Sequence, residues 1–222
     1  MRSFCLLLLA LVCALLGVAH ADLVVVQKVE GGGLEGEMTI KFQGKKVRAD
    51  LVLPISIIVD AETGESLMLQ HRTKTFNRVG VADTRALADQ LLKAQGASEP
   101  PKLTPTGEKK DIAGHPTEGF LWRVGQMKIR FWVAKDFPHG DAVQAQLNLL
   151  QNSGLGAIAS SMMPSATDHP GVRLRTEFEL GDKKIASTIT SIKEEPVDPS
   201  VFKVPAEYKE VAVPINGAGQ EP

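Results

Sequence analysis

The stretch Gly154-Leu155-Gly156-Ala157-Ile158-Ala159 imitates the glycine spacing of a dinucleotide fingerprint, in which backbone N–H groups close on a pyrophosphate. That chemistry needs a buried strand before the turn and a helix after it. Here a helical pattern comes first, so the segment reads as a helix break followed by flexible apolar chain. Asp136, His139 and Asp141, or Asp168 with His169, bring together residue types that hold metals. Neither set has the paired spacing on one strand or helix that a closed site uses, and no metal ligand is assigned. His71 and His139, and the His115-Pro116 and His169-Pro170 pairs beside Gly114 and Gly171, are read as solvated loop histidines. For nucleophilic catalysis there is no Gly-x-Ser-x-Gly elbow. Acidic residues alternate with basic ones, as in Arg173–Glu179, which suits cross-strand ion pairs better than an acid/base dyad. The expectation is no catalytic residue, no cofactor and no enzyme.

The first residues address the compartment. Met1-Arg2-Ser3 is a short positive start, Phe4 to Val18 is apolar except for Gly17, and Ala19-His20-Ala21 places small residues before Asp22. This is the plan of a secretory signal peptide over 1–21, too short for a transmembrane span. Both cysteines, Cys5 and Cys13, fall inside it, so an exported domain would be held by its core without disulfides. Loss of Arg2 with the leader would move the formal charge from −1 to −2. No block of like charge marks a phosphate backbone or an anionic membrane, and nucleic acid is not an expected partner.

The elements follow from hydrophobic periodicity. Met38, Ile40 and Phe42 alternate with Glu37, Thr39, Lys41 and Gln43, a half-buried strand at period two. Gly44-Lys45 predicts a hairpin into Lys46–Leu53, which Pro54 ends. Ile55–Asp60 and Ser66–His71 flank a polar turn, and Lys74–Val79 closes the first half. From Asp83, the leucines Leu87, Leu91 and Leu92 fall at helical spacing, and a second helix opens at Asp141. Pro100-Pro101, Pro105 and Gly107 read as a loop between the first helix and more strands. Thr117–Val124, Met127–Lys135, Val172–Leu180 and Lys184–Ile192 are further strands, with Arg173, Arg175, Glu177 and Glu179 sharing a polar face. The expected fold is α+β, mostly β: a curved antiparallel sheet, or half-barrel, of about 9–11 strands with two helices covering one face. One domain spans 22–213, followed by a mobile tail, 214–222.

Several strands carry bulk on both faces, Leu121 beside Phe120 and Trp122, and Trp132 beside Phe131. Burial alone explains such a pattern. A concave face open to an acyl chain explains it as well, with Met38, Ile40, Phe42, Phe131 and Phe178 as the candidate lining. Near the end, "EEPVDPSVFKVPAEY" (194–208) packs prolines among bulky apolar residues. Asp198 and Pro199 form a cap and first turn, and Pro205 holds Val204 extended. Val197, Phe202, Val204 and Tyr208 then dock on the sheet edge, so the segment reads as a fastener rather than a catalytic lid.

"DPSVFKVPAEYKEV" resembles the terminal segment of the outer-membrane lipoprotein carrier family and its relatives, with the LolA/LolB-like fold. "GEKKDIAGHPTEGFLW", "FWVAKD" and "TSIKEEPVDPSVFKVPAEY" resemble an uncharacterised bacterial exported domain family of that fold. The resemblance implies a half-barrel with a helical cover, no cofactor and a possible hydrophobic guest. Arg48 in "GKKVRAD" lacks the proline beside the carriers' lid-holding arginine, so lid function and lipoprotein transport are not carried over. Three functional readings follow. The first is a periplasmic protein binding a lipid, acyl chain or other apolar ligand. The second is an envelope interaction module with a packed interior and a protein partner. The third is a hydrolase in which His139 or His169 meets acidic partners.

Overall fold

Period-two alternation, cut by glycine and proline turns, gives twelve strands in a computed structural model that describes residues 22–79, 102–151, 163–164 and 168–212. In chain order these are β1 (Leu23–Gly31), β2 (Leu34–Gln43), β3 (Lys46–Asp50), β4 (Ile55–Asp60), β5 (Ser66–Gln70), β6 (Thr75–Val79), β7 (Thr104–Ile112), β8 (His115–Val124), β9 (Met127–Ala134), β10 (Val172–Leu180), β11 (Lys183–Glu194) and β12 (Lys209–Glu210). All belong to one curved, unclosed sheet in the order β12-β6-β5-β4-β3-β2-β1-β11-β10-β9-β8-β7. Every pairing is antiparallel except that of β12, which adds to β6 in parallel. Two meanders therefore meet at one seam, β1 against β11.

The strand count exceeds the expected 9–11. One source is β7, which occupies part of the proline- and glycine-containing stretch read as loop. Pairing with β8 overrides those local signals, and a register shift between Pro105 and Lys109 absorbs the misfit. Among the described residues there is one α-helix, α1 (Gly140–Gln151), where the sequence expects its second. The helix expected from Asp83, the glycine-rich apolar segment up to Met162, the leader and the tail lie outside the described residues. No described helix is long and apolar enough to cross a membrane.

Turn chemistry explains the hairpins. Gly31 ends β1 with φ +95, and a Cβ there would stand 2.3 Å from the Lys184 carbonyl oxygen of β11. Only glycine satisfies both the left-handed backbone and that close approach.

Three apolar clusters hold the sheet. The largest contains Leu23, Val25, Ile40, Phe42, Val47, Val59, Trp132 and Leu174, with Val143 of α1 buried against it and Leu147 and Leu149 packed alongside. A second gathers Phe120, Trp122, Met127, Ile129, Phe131 and Val133. A third joins Val24, Ile58, Leu69 and Phe76 to Val197 and Phe202 of the C-terminal strap. Each fully buried side chain of this size removes enough apolar surface from water to contribute about 1.5–3 kcal/mol.

Candidate functional site

The strap behaves as its residues require. Asp198 caps a 3-10 turn, Pro199–Phe202, by accepting from the Ser200 amide at 2.8 Å. Pro199 starts the turn with a preset φ. Phe202 and Val197 enter the third cluster, and Val201, Val204 and Tyr208 pack around it.

Beneath the strap runs a polar network. Asp50 of β3 faces Ser56 of β4 in register, and Arg48 lies two residues before Asp50 on the same face. The Arg48 guanidinium donates to Asp50 Oδ1 at 2.7 Å, to the Val201 carbonyl at 2.8 Å and to Ser56 Oγ at 3.0 Å. Ser56 Oγ is 2.6 Å from Asp50 Oδ1 and 2.6 Å from His71 Nε2, and His71 Nδ1 is 2.6 Å from the Tyr208 hydroxyl. At the strand end, Asp22 Oδ2 accepts from the Val197 amide and from Gln43 Nε2, both at 2.9 Å.

A serine–histidine contact invites a catalytic reading, and hydrogen counting refuses it. Burial disfavours the Asp50 charge. The hydrogen bonds from Ser56 and Arg48 and the charges of Arg48 and Lys41 outweigh it, holding the carboxyl below its ordinary value. Ionised Asp50 accepts only, so the single Ser56 hydrogen goes to it. His71 Nε2 must then donate to Ser56, and in the neutral ring Nδ1 accepts from Tyr208. The imidazole cannot also act as base toward a hydroxyl to which it donates. Ser56 is wholly buried, out of reach of any substrate. These groups fasten the strap, and sequence reasoning missed them because they meet only through register.

The other end of the sheet differs. Across β8, β9 and β10, Phe120, Phe131 and Thr176 stand in one row, and Trp122, Ile129 and Phe178 in the next. Leu103, Met163 and Phe178 are partly exposed at the margin of this cluster. A register shift between Arg173 and Arg175 turns Arg173 out of the polar row and lays its guanidinium over the Phe131 ring, 4.8 Å from the centroid. That corrects the expectation of a shared polar face for Arg173–Glu179, because a bulge reverses the alternation on one side of it. Gly171, with φ +94, makes the turn possible: a Cβ would meet the Ala134 carbonyl oxygen at 2.2 Å. Arg173 Nε donates to His169 Nε2 at 2.5 Å and a terminal nitrogen donates to the Pro164 carbonyl at 2.8 Å.

His169 is 5% exposed, not solvated as the sequence suggested. Burial first, and the Arg173 charge second, lower its pKa to about 4. Burial likewise lowers Arg173 to about 10. Of the remaining histidines, His139 is exposed ahead of α1, and His115 packs on Phe137 with ring centroids 4.8 Å apart. Among the described residues no three acidic or histidine side chains converge as metal ligands.

The candidate lining residues divide. Ile40 and Phe42 are buried in the first cluster with Met38 packed against it, whereas Phe131 is buried in the second beside Phe178. Phe178 also borders an open cleft of about 610 Å³ whose walls include Glu30, Arg123, Lys128, Arg130, Arg175 and Glu177. Its acidic groups are all paired: Arg175 holds Glu30 at 3.0 Å and Glu177 at 2.8 Å, and Lys128 holds Glu179 at 3.3 Å. Arg123, exposed in the same cleft, has no ion pair among the described residues, so the lining carries more basic than acidic groups.

Residues 24–208 match the family described as a domain of unknown function, DUF4412. The chain belongs to the DUF4412 family. This meets the resemblance to an uncharacterised domain family, and the open sheet is the half-barrel which that resemblance implied. No curated protein matches this DUF4412 chain. Among solved structures it is similar to PNGF-II, at 10% identity and TM-score 0.44, over 86% of its own length and 31% of that chain, so it spans about a third of PNGF-II. It is also similar to MucB in complex with MucA(peri), at 13% identity and TM-score 0.34, over 85% of its length and 56% of that chain. LprF from Mycobacterium bovis is similar at 11% identity and TM-score 0.34, over 84% of this chain and 89% of LprF. Similarity at this level assigns neither ligand nor partner to the DUF4412 chain.

Proposed function

We propose that this chain is an exported, non-enzymatic binding protein whose half-barrel takes a lipid, an acyl chain or another apolar guest in the periplasm. The carrying observation is the aromatic cluster on β8–β10, where the rows Phe120–Phe131–Thr176 and Trp122–Ile129–Phe178 are flanked by the partly exposed Phe178, Met163 and Leu103. An acyl chain laid there gains roughly 0.8 kcal/mol for each methylene removed from water. Met38, Ile40 and Phe42 extend the same apolar character toward β1–β3. The signal-peptide pattern of residues 1–21 supports export, and the committed hydrogen of buried Ser56 supports a role without catalysis.

Native mass spectrometry of protein purified from an exporting host, followed by solvent extraction, tests this reading. Extra mass released as lipid supports it. A clean apo mass, together with failure of added lipid to be retained, overturns it. One observation favours a second reading: Phe42 and Phe131 have no exposed surface even without a guest. An envelope interaction module with a packed interior accounts for that, and it requires a stable complex with another envelope protein on size-exclusion chromatography.

A further inference from the structure

We propose that the open cleft across β8–β11 binds a phosphate ester, with the phosphate seated among Arg123, Lys128 and Lys184. This goes beyond the apolar-guest reading and does not depend on it. Leu121 and Arg123 alternate along β8 with Phe120 and Trp122, so the cleft and the aromatic cluster lie on opposite faces of the sheet. Register makes the site. Arg123 of β8 is opposite Lys128 of β9, Lys128 is opposite Glu179 of β10, and Glu179 is opposite Lys184 of β11. A single row across four neighbouring strands, spaced about 4.8 Å apart, thus carries three cations and one carboxylate. No run of like charge marks it in the sequence, because each cation comes from a different strand.

The excess of positive charge is confined to this row. Lys128 holds Glu179 at 3.3 Å, Lys184 reaches the same carboxylate only at 4.0 Å, and exposed Arg123 has no ion pair among the described residues. Elsewhere in the lining each cation has its own partner: Arg130 engages Glu108 at 3.0 Å, and Arg175 engages Glu30 and Glu177. The hydrogen bond and charge of Lys128, then the charge of Lys184, hold the Glu179 carboxyl below its ordinary value, so the row already favours negative charge. A guanidinium and two ammonium groups in line suit a tetrahedral oxyanion, whose oxygens diverge toward all three, better than a flat carboxylate. The volume of about 610 Å³ exceeds the needs of the anion alone, and Leu121 and Ala186 in the adjoining row offer apolar surface to the organic part of an ester. A soluble ester and a lipid headgroup share this chemistry, and the test separates them.

The mature protein from an exporting host is titrated at low ionic strength with glycerol 3-phosphate, and with glycerol as the control, by isothermal titration calorimetry. It is also sedimented with vesicles of phosphatidylglycerol or of phosphatidylcholine. Binding of the phosphate and not of glycerol is expected, and Arg123→Gln should weaken it about tenfold, the scale of one charge-assisted hydrogen bond. Lys45→Gln removes an equal charge from the exposed β2–β3 turn and should leave the affinity unchanged. Arg123 has no ion pair to lose, so its variant is expected to unfold at the same urea concentration as the unmodified protein. Capture of glycerol 3-phosphate without vesicle binding supports the site and names a soluble ester. Retention on phosphatidylglycerol vesicles alone, released by Arg123→Gln, supports it and names a lipid headgroup. Equal weakening by the two substitutions, or binding to neither the ester nor the anionic vesicles, overturns the site and leaves the apolar-guest reading standing, since neither result bears on the opposite face.

Discussion

Burial and the neighbouring Arg173 guanidinium lower the His169 pKa from 6.5 to about 4, so the folded chain refuses a proton that the unfolded chain accepts. Between those values the unfolded state binds more protons, and stability therefore rises with pH. The contribution is complete above pH 6.5 and is lost as pH falls toward about 4, a loss of up to about 3 kcal/mol. Asp50 acts in a different window. Its carboxyl sits below the ordinary value of 3.8, so the stability it gives is lost only as pH falls beneath that value toward its folded pKa. His169→Gln keeps an acceptor for Arg173 Nε and removes the titrating ring. Its urea midpoint is expected to change little between about pH 6.5 and about pH 4.5, whereas the unmodified protein should weaken over that interval. A slope unchanged by the substitution would assign it to another group. Nothing local in the sequence announced this histidine as buried, because its Pro170-Gly171 context has the signature of an exposed turn.

The C-terminal strap is a short element fixed by two independent devices, a cap and an apolar plug. Asp198→Ala removes the acceptor for the Ser200 amide and is expected to cost about 1 kcal/mol. Phe202→Ala empties a site among Ile58, Leu69 and Phe76 and is expected to cost about 3–4 kcal/mol. Equilibrium urea unfolding of both variants checks the ranking, and equal losses would show that apolar docking does not hold the strap. The strap was legible in the sequence because proline, aspartate and the residue before proline act on their own backbone. Most strands were legible for a similar reason: alternation at Met38–Phe42 or Met127–Val133 is written within one element. Two features were not. The strand character of β7 comes from pairing with β8, which overrules Pro105 and Gly107. The inward turn of Arg173 is set by the register of β9 and β10, and a shift of one residue leaves no mark in composition. The candidate site inherits that limit: Phe131 and Phe178 were readable as apolar positions, while the cation beside them was not.

At the scale of the molecule, an unclosed sheet has two edges to protect. One carries β12, only two residues long, behind Pro205. The other is β7, nearly all exposed, with Lys109 and Lys110 along it. Charged side chains on an edge strand disfavour pairing with a second molecule. Replacing both lysines by valine is expected to produce concentration-dependent association by light scattering with little change in the unfolding midpoint. A variant that stays monomeric would place the protection elsewhere. The seam between the two meanders has a consequence in time. Leu23 lies opposite Glu194, so the middle of the sheet joins two strands far apart in the sequence, and β1 is made before everything that lies between them. Contacts of such separation form slowly and late. Each meander can assemble as it appears, yet until β11 arrives β1 keeps one side unpaired, with Val24, Val25 and Val26 in succession. A chain halted before residue 183 would carry that valine-rich edge bare, whereas one released whole covers it in the same step that joins its halves.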